Sequence, residues 1–260
     1  MKRVIVCYKW VPDGADIRID ERTRTLAMDG VSWTLNDFDR NAIEAGVQIK
    51  AATGCELIGV TAGVDTEASG KDALSRGLDS LCYLSDAQMA DADSRTTSEI
   101  LAGMIVRLGG ADLVICSEAS DDEYAQQTGP RLAALLGYSS VTYVSALSLS
   151  GEGLSASRKL EDGVEDVEIA GPAVISVVPD INEPPFPSVK QILGAKKKPS
   201  QAVALTEAVP DIDRIRPQLR TDSLLAPEVS RKRVSLSAGG VGAADAVAGL
   251  LKALAVEGVL

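Results

Sequence analysis

Short apolar runs alternate with amphipathic segments along the first two thirds of the chain. The runs Arg3–Tyr8, Leu57–Ala62 and Leu113–Ser117 are short and bounded by polar residues, which is typical of buried strands. Segments between them, such as Arg95–Leu108, place apolar side chains at helical spacing. Strands and helices that alternate in this way form βαβ units. The pattern therefore predicts a doubly wound α/β domain with a mostly parallel sheet, extending to residue 185.

The composition supports a parallel sheet. Hydrophobic residues make up 45% of the 260 residues, but aromatic residues only 3%, so the core must consist of Val, Leu, Ile and Ala. That is the composition of parallel strands covered by helices. Toward the end of the domain, Val144–Leu149, Leu154–Leu160 and Asp166–Ile169 are separated by glycines and are expected to be shorter antiparallel strands.

The character of the chain changes after residue 185. We divide the sequence into an α/β domain, residues 1–185, and a docking loop with a C-terminal arm, residues 186–260, which ends in a helix over about Ala243–Ala255. The prolines of Asn182–Pro187 exclude regular structure there, because they lack donors and restrict their neighbours. The arm contains few apolar residues and cannot bury itself, so we expect it to lie on another chain.

Charge and residue usage exclude several functions. There are 26 Lys and Arg against 37 Asp and Glu, a net charge of −11, so the chain is a poor binder of nucleic acid. The absence of His removes His-dependent triads, general bases and metal ligands, and we assign no catalytic residue and no metal site. The four cysteines are far apart, which indicates buried thiols in a reducing compartment. No apolar run approaches the ~20 residues of a membrane span, so we expect a cytoplasmic protein without membrane insertion.

The segment Ser120–Arg131 follows a predicted strand and precedes an apolar helix. This order places it at the carboxyl edge of the sheet, where open α/β folds bind ligands. The residues Gln127–Gly129 open the helix, so free backbone N–H groups and the helix dipole would favour a phosphate there. The acidic residues Asp121–Glu123 would repel that phosphate unless they point away or bind ribose hydroxyls. A solvated loop with a capping Thr explains the same residues equally well.

The segment Asn182–Pro199 also has two interpretations. It is either a proline-rich linker with a solvated lysine run, or an exposed docking loop that presents the apolar side chains of Val189, Ile192 and Leu193 to a partner. In an otherwise acidic chain, the positive run Lys196–Lys198 would help to orient an acidic partner.

Taken together, these segments resemble the β subunit of electron transfer flavoprotein over essentially the whole length of the chain. The segment Asn182–Pro199 is close to the family signature. Two details, Cys7-Tyr-Lys followed by Val-Pro-Asp13 and Asp122-x-Tyr-Ala-Gln-Gln127, are most similar to the carnitine-type and nitrogen-fixation-associated branch. The other segments that carry the resemblance are Val4–Asp13, Asn36–Ala45, Ala73–Gly77 and Asp121–Gly129.

The resemblance implies a heterodimer whose α subunit holds one FAD, while this chain holds an adenine nucleotide in a Rossmann-like fold of the adenine-nucleotide-binding type. It also implies a cytoplasmic location of the bacterial type. Matched position by position, the family's nucleotide contacts fall on Cys7, Asn36, Asp37, Phe38, Asp39, Ala62, Asp121, Asp122, Glu123, Tyr124, Ala125, Gln126, Gln127, Thr128, Gly129, Pro130 and Ala133.

The same resemblance implies protein partners. Val189 stands where the family usually has a Leu that anchors in the dehydrogenase, and Ile192 and Leu193 follow it. Glu165 matches an acidic residue that faces the partner's flavin domain. The implied partners are the α subunit, wrapped by the C-terminal arm, and a flavoenzyme of the acyl-CoA dehydrogenase type. A quinone oxidoreductase or a ferredoxin would be further acceptors.

The acidic loop departs from the pattern of AMP-holding members. Those members usually carry Asn immediately before Gln-Thr-Gly, whereas this chain has Gln126, preceded by Ala125. The Ala resembles bifurcating members, in which a second FAD replaces AMP and accepts hydride from transiently bound NADH. We therefore expect FAD in this chain, with a structural AMP as the alternative.

Two other classes of protein remain as alternatives. A stand-alone nucleotide-binding protein of the PP-loop type would carry a Ser-Gly-Gly-x-Asp-Ser loop after the first strand, where this chain has Lys9–Asp13. A purely structural interaction protein would explain the arm but would give no reason for the loop Asp121–Gly129.

Overall fold

The computed structural model describes residues 1–150, 153–211, 215–228, 233–235 and 242–260. These residues form two compact units. The larger unit comprises Met1–Arg18 and Leu26–Leu224, and the smaller comprises Ile19–Thr25 and Leu225–Leu260.

Strands and helices alternate in the larger unit as the apolar pattern predicts. The described strands are β1 (Arg3–Cys7), β2 (Trp10–Pro12), β3 (Arg18–Ile19), β4 (Leu26–Ala27), β5 (Trp33–Leu35), β6 (Glu56–Gly63), β7 (Ser80–Ser85), β8 (Leu113–Ser117), β9 (Ser139–Ser150), β10 (Gly153–Lys159), β11 (Val164–Ile169), β12 (Ala173–Val177) and β13 (Ser200–Ala202). The described α-helices are α1 (Asp37–Thr53), α2 (Gly70–Ser75), α3 (Ser94–Arg107), α4 (Thr128–Leu136), α5 (Val189–Ala195), α6 (Leu205–Ala208) and α7 (Ala243–Val256). Short 3-10 helices span Thr66–Ser69, Ala87–Asp91 and Pro179–Ile181.

Nine strands form one sheet in the order β11-β10-β9-β12-β8-β1-β6-β7-β13. The pairs from β9 across to β13 are parallel, and only β9-β10 and β10-β11 are antiparallel. The predicted doubly wound α/β fold and the antiparallel strands near its end are therefore confirmed. Because the chain runs from β1 to β6 on one side and later places β8 on the other, the strand order reverses between β1 and β8.

The core lies on both faces of this sheet. Along β1, Val4 and Val6 pack into one hydrophobic cluster, and Ile5 and Cys7 pack into the other. Helix α1 covers the first face with residues such as Ile43. Helices α3 and α4 cover the second face with residues such as Ile100, Met104 and Leu132. This layering fixes the carboxyl ends of the central strands between helices from both sides.

Part of the predicted arm belongs to this fold. Strand β13 pairs with the edge strand β7, and Val203, Leu205 and Ala208 are buried in the second cluster. The expectation that the arm lies on another chain is therefore wrong for Ser200–Ala208, because a few apolar side chains suffice to fix it on α3. The domain division at residue 185 itself stays a prediction.

In its described residues, the smaller unit contains a short connection and one helix. Thr25 forms an isolated antiparallel bridge with Leu225, and the Ala226 N–H donates to the Arg24 carbonyl at 2.8 Å. Helix α7 confirms the predicted terminal helix and exposes apolar residues such as Val247 and Leu251. Within the described ranges, no helix has the length and hydropathy needed to cross a membrane.

A substitution at Gly103 tests the packing of α6 against α3. A Cβ at Gly103 would lie 1.9 Å from the Ala208 carbonyl oxygen, so Gly103→Ala must push α6 away from α3. We expect it to lower the free energy of unfolding by about 1–3 kcal/mol, the usual range for overpacking. The measurement is the urea midpoint. Gly194→Ala is the control, because its Cβ would meet nothing within 4 Å; equal midpoints for both variants would contradict this packing.

Candidate functional site

A cavity of about 210 Å³ opens at the carboxyl edge of the sheet, beside the point where the strand order reverses. Its lining comes from the ends of β1, β6 and β8, the start of α1, the 3-10 helix before α3, α3 itself and the acidic loop before α4. Ligands of open α/β sheets bind at such a position, because the loops diverge there and leave a crevice.

Ten of the nucleotide-contact residues expected from the resemblance line this cavity, and seven do not. The ten are Cys7, Asn36, Asp39, Ala62, Asp122, Glu123, Ala125, Gln126, Gln127 and Thr128. Asp37, Phe38, Asp121, Tyr124, Gly129, Pro130 and Ala133 lie outside the described lining. Several of the seven support the lining residues instead.

Asn36 joins the start of α1 to the acidic loop. It stands at the N-cap position of α1, but its side chain makes no cap hydrogen bond. Instead, its Nδ2 donates to the Ala119 carbonyl at 3.1 Å, and its Oδ1 accepts from the Asp121 N–H at 3.0 Å. The Asp121 carboxylate in turn accepts from the Asp37 N–H at 2.8 Å. Asp121 therefore points at the start of α1, where an acceptor is favourable.

Asp39 is a buried carboxylate, 2% exposed, in the first turn of α1. Its oxygens accept from the Lys9 backbone N–H at 2.7 Å and from the Ser117 hydroxyl. Burial raises the pKa of this carboxyl to about 6, although the hydrogen bond from Ser117 opposes the shift. Asp39 thus ties α1 to the ends of both strands that border the switch point.

Lys9 supplies the positive charge of the site. Its Nζ lies 2.7 Å from a carboxylate oxygen of Asp122 and 3.6 Å from one of Glu123. Burial would raise the pKa of Asp122, but the nearby Lys9 ammonium lowers it below its usual value. Two of the acidic side chains that would repel a phosphate are therefore compensated by a cation that itself lines the cavity.

The start of α4 faces the same cavity. Within the described residues, no hydrogen-bond partner is found for the N–H groups of Thr128 and Gly129, and Pro130 has none to offer. A Cβ on Gly129 would lie 3.4 Å from the Ser176 Cβ, at ordinary van der Waals contact, so a side chain larger than a methyl group would meet the strands there. Free N–H groups at a helix start form a favourable site for an anion.

Two aromatic residues outside the lining hold the acidic loop. The rings of Phe38 and Tyr124 meet edge to face, with centroids 5.9 Å apart. Tyr124 and Gln126 have positive φ angles of 50° and 57°, a conformation that costs energy for residues other than glycine. The contact with Phe38 helps to stabilise this bent loop.

Two cysteines contribute to the lining of the cavity. Cys7 and Cys116 lie on the neighbouring strands β1 and β8 and both line the cavity. The hydrogen bond with Cys116 and burial raise the pKa of the Cys7 thiol well above its ordinary value, so the nucleophilic thiolate is disfavoured. In the described part of the chain, no cluster of three His, Cys, Asp or Glu residues could hold a metal ion.

Sequence reasoning missed more than half of the lining. Except for Trp33 on β5, the missed residues lie in the last two positions of a predicted strand, within three residues after one, or in the region from the 3-10 helix before α3 to α3 itself. They are Tyr8, Lys9, Trp10, Trp33, Gly63, Val64, Met89, Ala90, Ala92, Ser94, Thr97, Leu101, Cys116, Ser117, Glu118, Ala119 and Ser120. Ligands of open α/β sheets bind at the carboxyl ends of the strands. This rule could have identified Lys9 and Ser117, because it applies to them as well as to Ala62.

The expected docking residues lie outside the described cavity lining. Val189 and Leu193 are 73% and 65% exposed on α5, and Ile192 is partly buried. Glu165 lies on β11, and its carboxylate is 3.4 Å from the Arg158 guanidinium. Exposure leaves these side chains accessible to a partner.

The fold and the cavity define an α/β domain with a candidate ligand site at the topological switch point, whose lining includes Thr128 at the start of α4 and Lys9. Comparison with known families specifies the class further. Residues 23–208 match the family model for the electron transfer flavoprotein domain. The chain belongs to this family, as the sequence resemblance implied at the family level.

Asp39 should leave a signature in the pH dependence of stability. Between about pH 4, its ordinary pKa, and pH 6, the folded state binds the proton that the unfolded state has lost. The contribution of Asp39 to the free energy of unfolding therefore falls as pH rises through this window, by about 1.4 kcal/mol per unit at most. Asp39→Asn removes this fall, and urea titrations of both proteins from pH 4 to 7 measure the difference.

Asp112→Asn is the control, because the pKa of Asp112 is shifted in the opposite direction to that of Asp39. Backbone N–H groups of Arg3 and Lys2 lower the pKa of Asp112, so its stabilisation is lost only as pH falls below about 4. A difference between wild type and Asp39→Asn that is constant across pH 4–7 would contradict a raised pKa at Asp39.

Proposed function

We propose that this chain is the β subunit of a heterodimeric electron transfer flavoprotein. In this proposal the α subunit holds one FAD, and the heterodimer carries electrons between flavoenzymes of the acyl-CoA dehydrogenase type and other acceptors. The match to the electron transfer flavoprotein domain over residues 23–208 is the observation that carries the proposal. The sequence resemblance supports the β branch, and family membership favours this function over a stand-alone nucleotide-binding or purely structural protein.

The cavity supports an adenine nucleotide as the ligand. With a volume of about 210 Å³, it lies at the topological switch point, where open α/β sheets bind nucleotides. The N–H groups of Thr128 and Gly129 would hold a phosphate, and Lys9, which lines the same cavity, reduces the repulsion from Asp122 and Glu123.

FAD is the first candidate for that nucleotide, and AMP is the alternative. The small side chain of Ala125 lines the cavity next to Gln126, where it leaves room for a larger group, and this position resembles the bifurcating members. FAD, when bound, supplies the acceptor for a hydride from NADH. The protein's own residues would bind and orient it, because the cavity contains no His and its thiol Cys7 is held protonated.

A partner flavoenzyme would dock on the exposed segment around α5. Phe186, Val189 and Leu193 expose apolar side chains, and the exposed Lys196 and Lys197 follow them. An apolar tip beside positive charge suits a partner pocket rimmed by carboxylates. Glu165, on β11, would face the flavin domain of the α subunit.

The cofactor content of the heterodimer tests the proposal. We expect the chain, co-expressed with its α subunit and then denatured, to release two FAD per heterodimer, identified by chromatography with mass detection. One FAD and one AMP would instead establish the non-bifurcating form. Release of no adenine species beyond the FAD of the α subunit would contradict a nucleotide site in this chain.

Gly129 tests the position of the nucleotide. Gly129→Val would force the start of α4 away from Ser176 and Cys116, whose Cβ atoms already lie 3.4 and 3.8 Å from an added Cβ. We expect the adenine nucleotide of this subunit to be lost while the FAD of the α subunit stays. Gly194→Val, a helical glycine with open space around it, should retain both. Full nucleotide content in a folded Gly129→Val protein would rule out the start of α4 as the phosphate site.

A further inference from the structure

The segment 183–197 exposes apolar side chains and yet is fixed at both ends. Phe186 is 95% exposed, Val189 73% and Leu193 65%. Large apolar side chains grouped on a surface mark interaction sites. An exposed segment with three prolines would be expected to vary in position, so the groups that hold its two ends decide how it is presented.

The first anchor is a pair of asparagines at the start of the segment. The Asn41 Nδ2 donates to the Asn182 carbonyl at 2.8 Å and to the Pro179 carbonyl at 3.0 Å. The Asn182 Nδ2 returns a hydrogen bond to the Asn41 carbonyl at 3.0 Å. Asn41 is buried in α1, so these reciprocal bonds hold the chain against a helix just before the prolines begin.

The second anchor is Lys198 at the end of the segment. Its Nζ donates to the carbonyls of Leu74 and Leu78 at 2.8 and 2.5 Å. These carbonyls lie at and just after the carboxyl end of α2, where a cation is favourable. Lys198 is therefore not part of a solvated lysine run, whereas Lys196 and Lys197 are exposed and form no ion pair among the described residues.

Between the anchors, α5 is stabilised locally. Ser188 and Gln191 form a capping box at its start, which satisfies two backbone N–H groups. Ala195, 1% exposed, packs into the core. The exposed side chains of Val189 and Leu193 therefore stand on a helix that is capped locally, packs Ala195 into the core and is flanked by chain bonded to the rest of the larger unit.

We propose that Asn182, with its partner Asn41, and Lys198 are positioning residues that hold the segment 183–197 ready to dock in an apolar, carboxylate-rimmed pocket of the partner flavoenzyme. This inference rests on the proposed function. A segment already held in its bound position loses little conformational freedom on docking, so the anchors contribute to affinity without touching the partner. Removing an anchor should weaken docking and leave the electron-transfer step and the nucleotide unchanged.

Substitutions at two neighbouring lysines distinguish the effect of anchoring from the effect of charge. Lys198→Met and Lys197→Met remove the same charge from adjacent positions, but only Lys198 bonds to α2. We expect Lys198→Met to raise the apparent KM of the heterodimer for a purified flavoenzyme of the acyl-CoA dehydrogenase type by about tenfold, with kcat kept. Lys197→Met removes a charge from the docking surface without touching an anchor, so it should raise the KM only about twofold and measures the effect of the lost charge alone. Asn182→Ala should behave like Lys198→Met, and Asn182→Asp, which cannot donate to the Asn41 carbonyl, should not restore affinity.

Hydrogen exchange and cofactor content complete the test. Exchange at the backbone amides of α5 should accelerate in Lys198→Met and Asn182→Ala but not in Lys197→Met, while all variants keep wild-type nucleotide content. Equal KM values for the two lysine variants would overturn the anchor role of Lys198. An unchanged KM in Asn182→Ala would overturn the asparagine anchor, and this variant carries the test if Lys198→Met does not fold.

Val189→Asp distinguishes this inference from the proposed function. It places a charge on the exposed apolar tip without touching either anchor. If it leaves the KM for the flavoenzyme unchanged, the docking surface itself is wrong. If it raises the KM while the anchor variants do not, the docking surface stands and only the positioning role is lost.

Discussion

The buried hydrogen bonds of Asp39 and Asn36 fix the geometry on which the rest of the site depends. Asp39 joins the first turn of α1 to Lys9 after β1 and to Ser117 at the end of β8, the two strands between which the order reverses. Asn36 joins the same turn to the loop after β8. A buried carboxylate is costly unless its oxygens accept hydrogen bonds. The hydrogen bonds of Asp39 therefore fix the positions of α1 and of the ends of β1 and β8 relative to one another. These elements form walls of the cavity.

The acidic loop can border an anion site because its carboxylates already interact with hydrogen-bond donors and a cation of the protein. Asp121 accepts from the backbone at the start of α1, and Asp122 and Glu123 face Lys9. At the start of α4, Thr128, which lines the cavity, and its neighbour Gly129 have backbone N–H groups for which no partner is found among the described residues. The repulsion that three carboxylates would exert on a phosphate is thereby reduced, and the choice between a binding loop and a solvated loop, which the sequence leaves open, moves toward binding.

Local sequence patterns were sufficient to predict the strands and helices. They could not predict contacts between residues that are far apart in the sequence. Apolar runs and helical spacing predict the central strands and α3 because each signal lies within one element. Strand β13 has the exposed sequence Ser-Gln-Ala, which carries no strand signal, and it forms because β7 offers an unpaired edge. Lys9 and Asp122 are 113 positions apart, so nothing near either residue indicates their ion pair. The resemblance implied that Phe38 and Tyr124 contact the nucleotide. The structure shows instead that their rings pack on each other and lie outside the cavity lining.

Helix α1 connects the candidate cavity to the start of segment 183–197, which we propose to be a docking segment. Its first turn carries Asp39 at the cavity, and Asn41, two residues later, holds the start of the docking segment. At about 1.5 Å of rise per residue, these two side chains are separated by less than one helical turn. A helix fixed at its start by buried bonds cannot shift one of these residues without the other. The cavity and the start of segment 183–197 are therefore set by the same rigid element, as the proposed carrier would need if its cofactor has to meet a partner's at a constant separation.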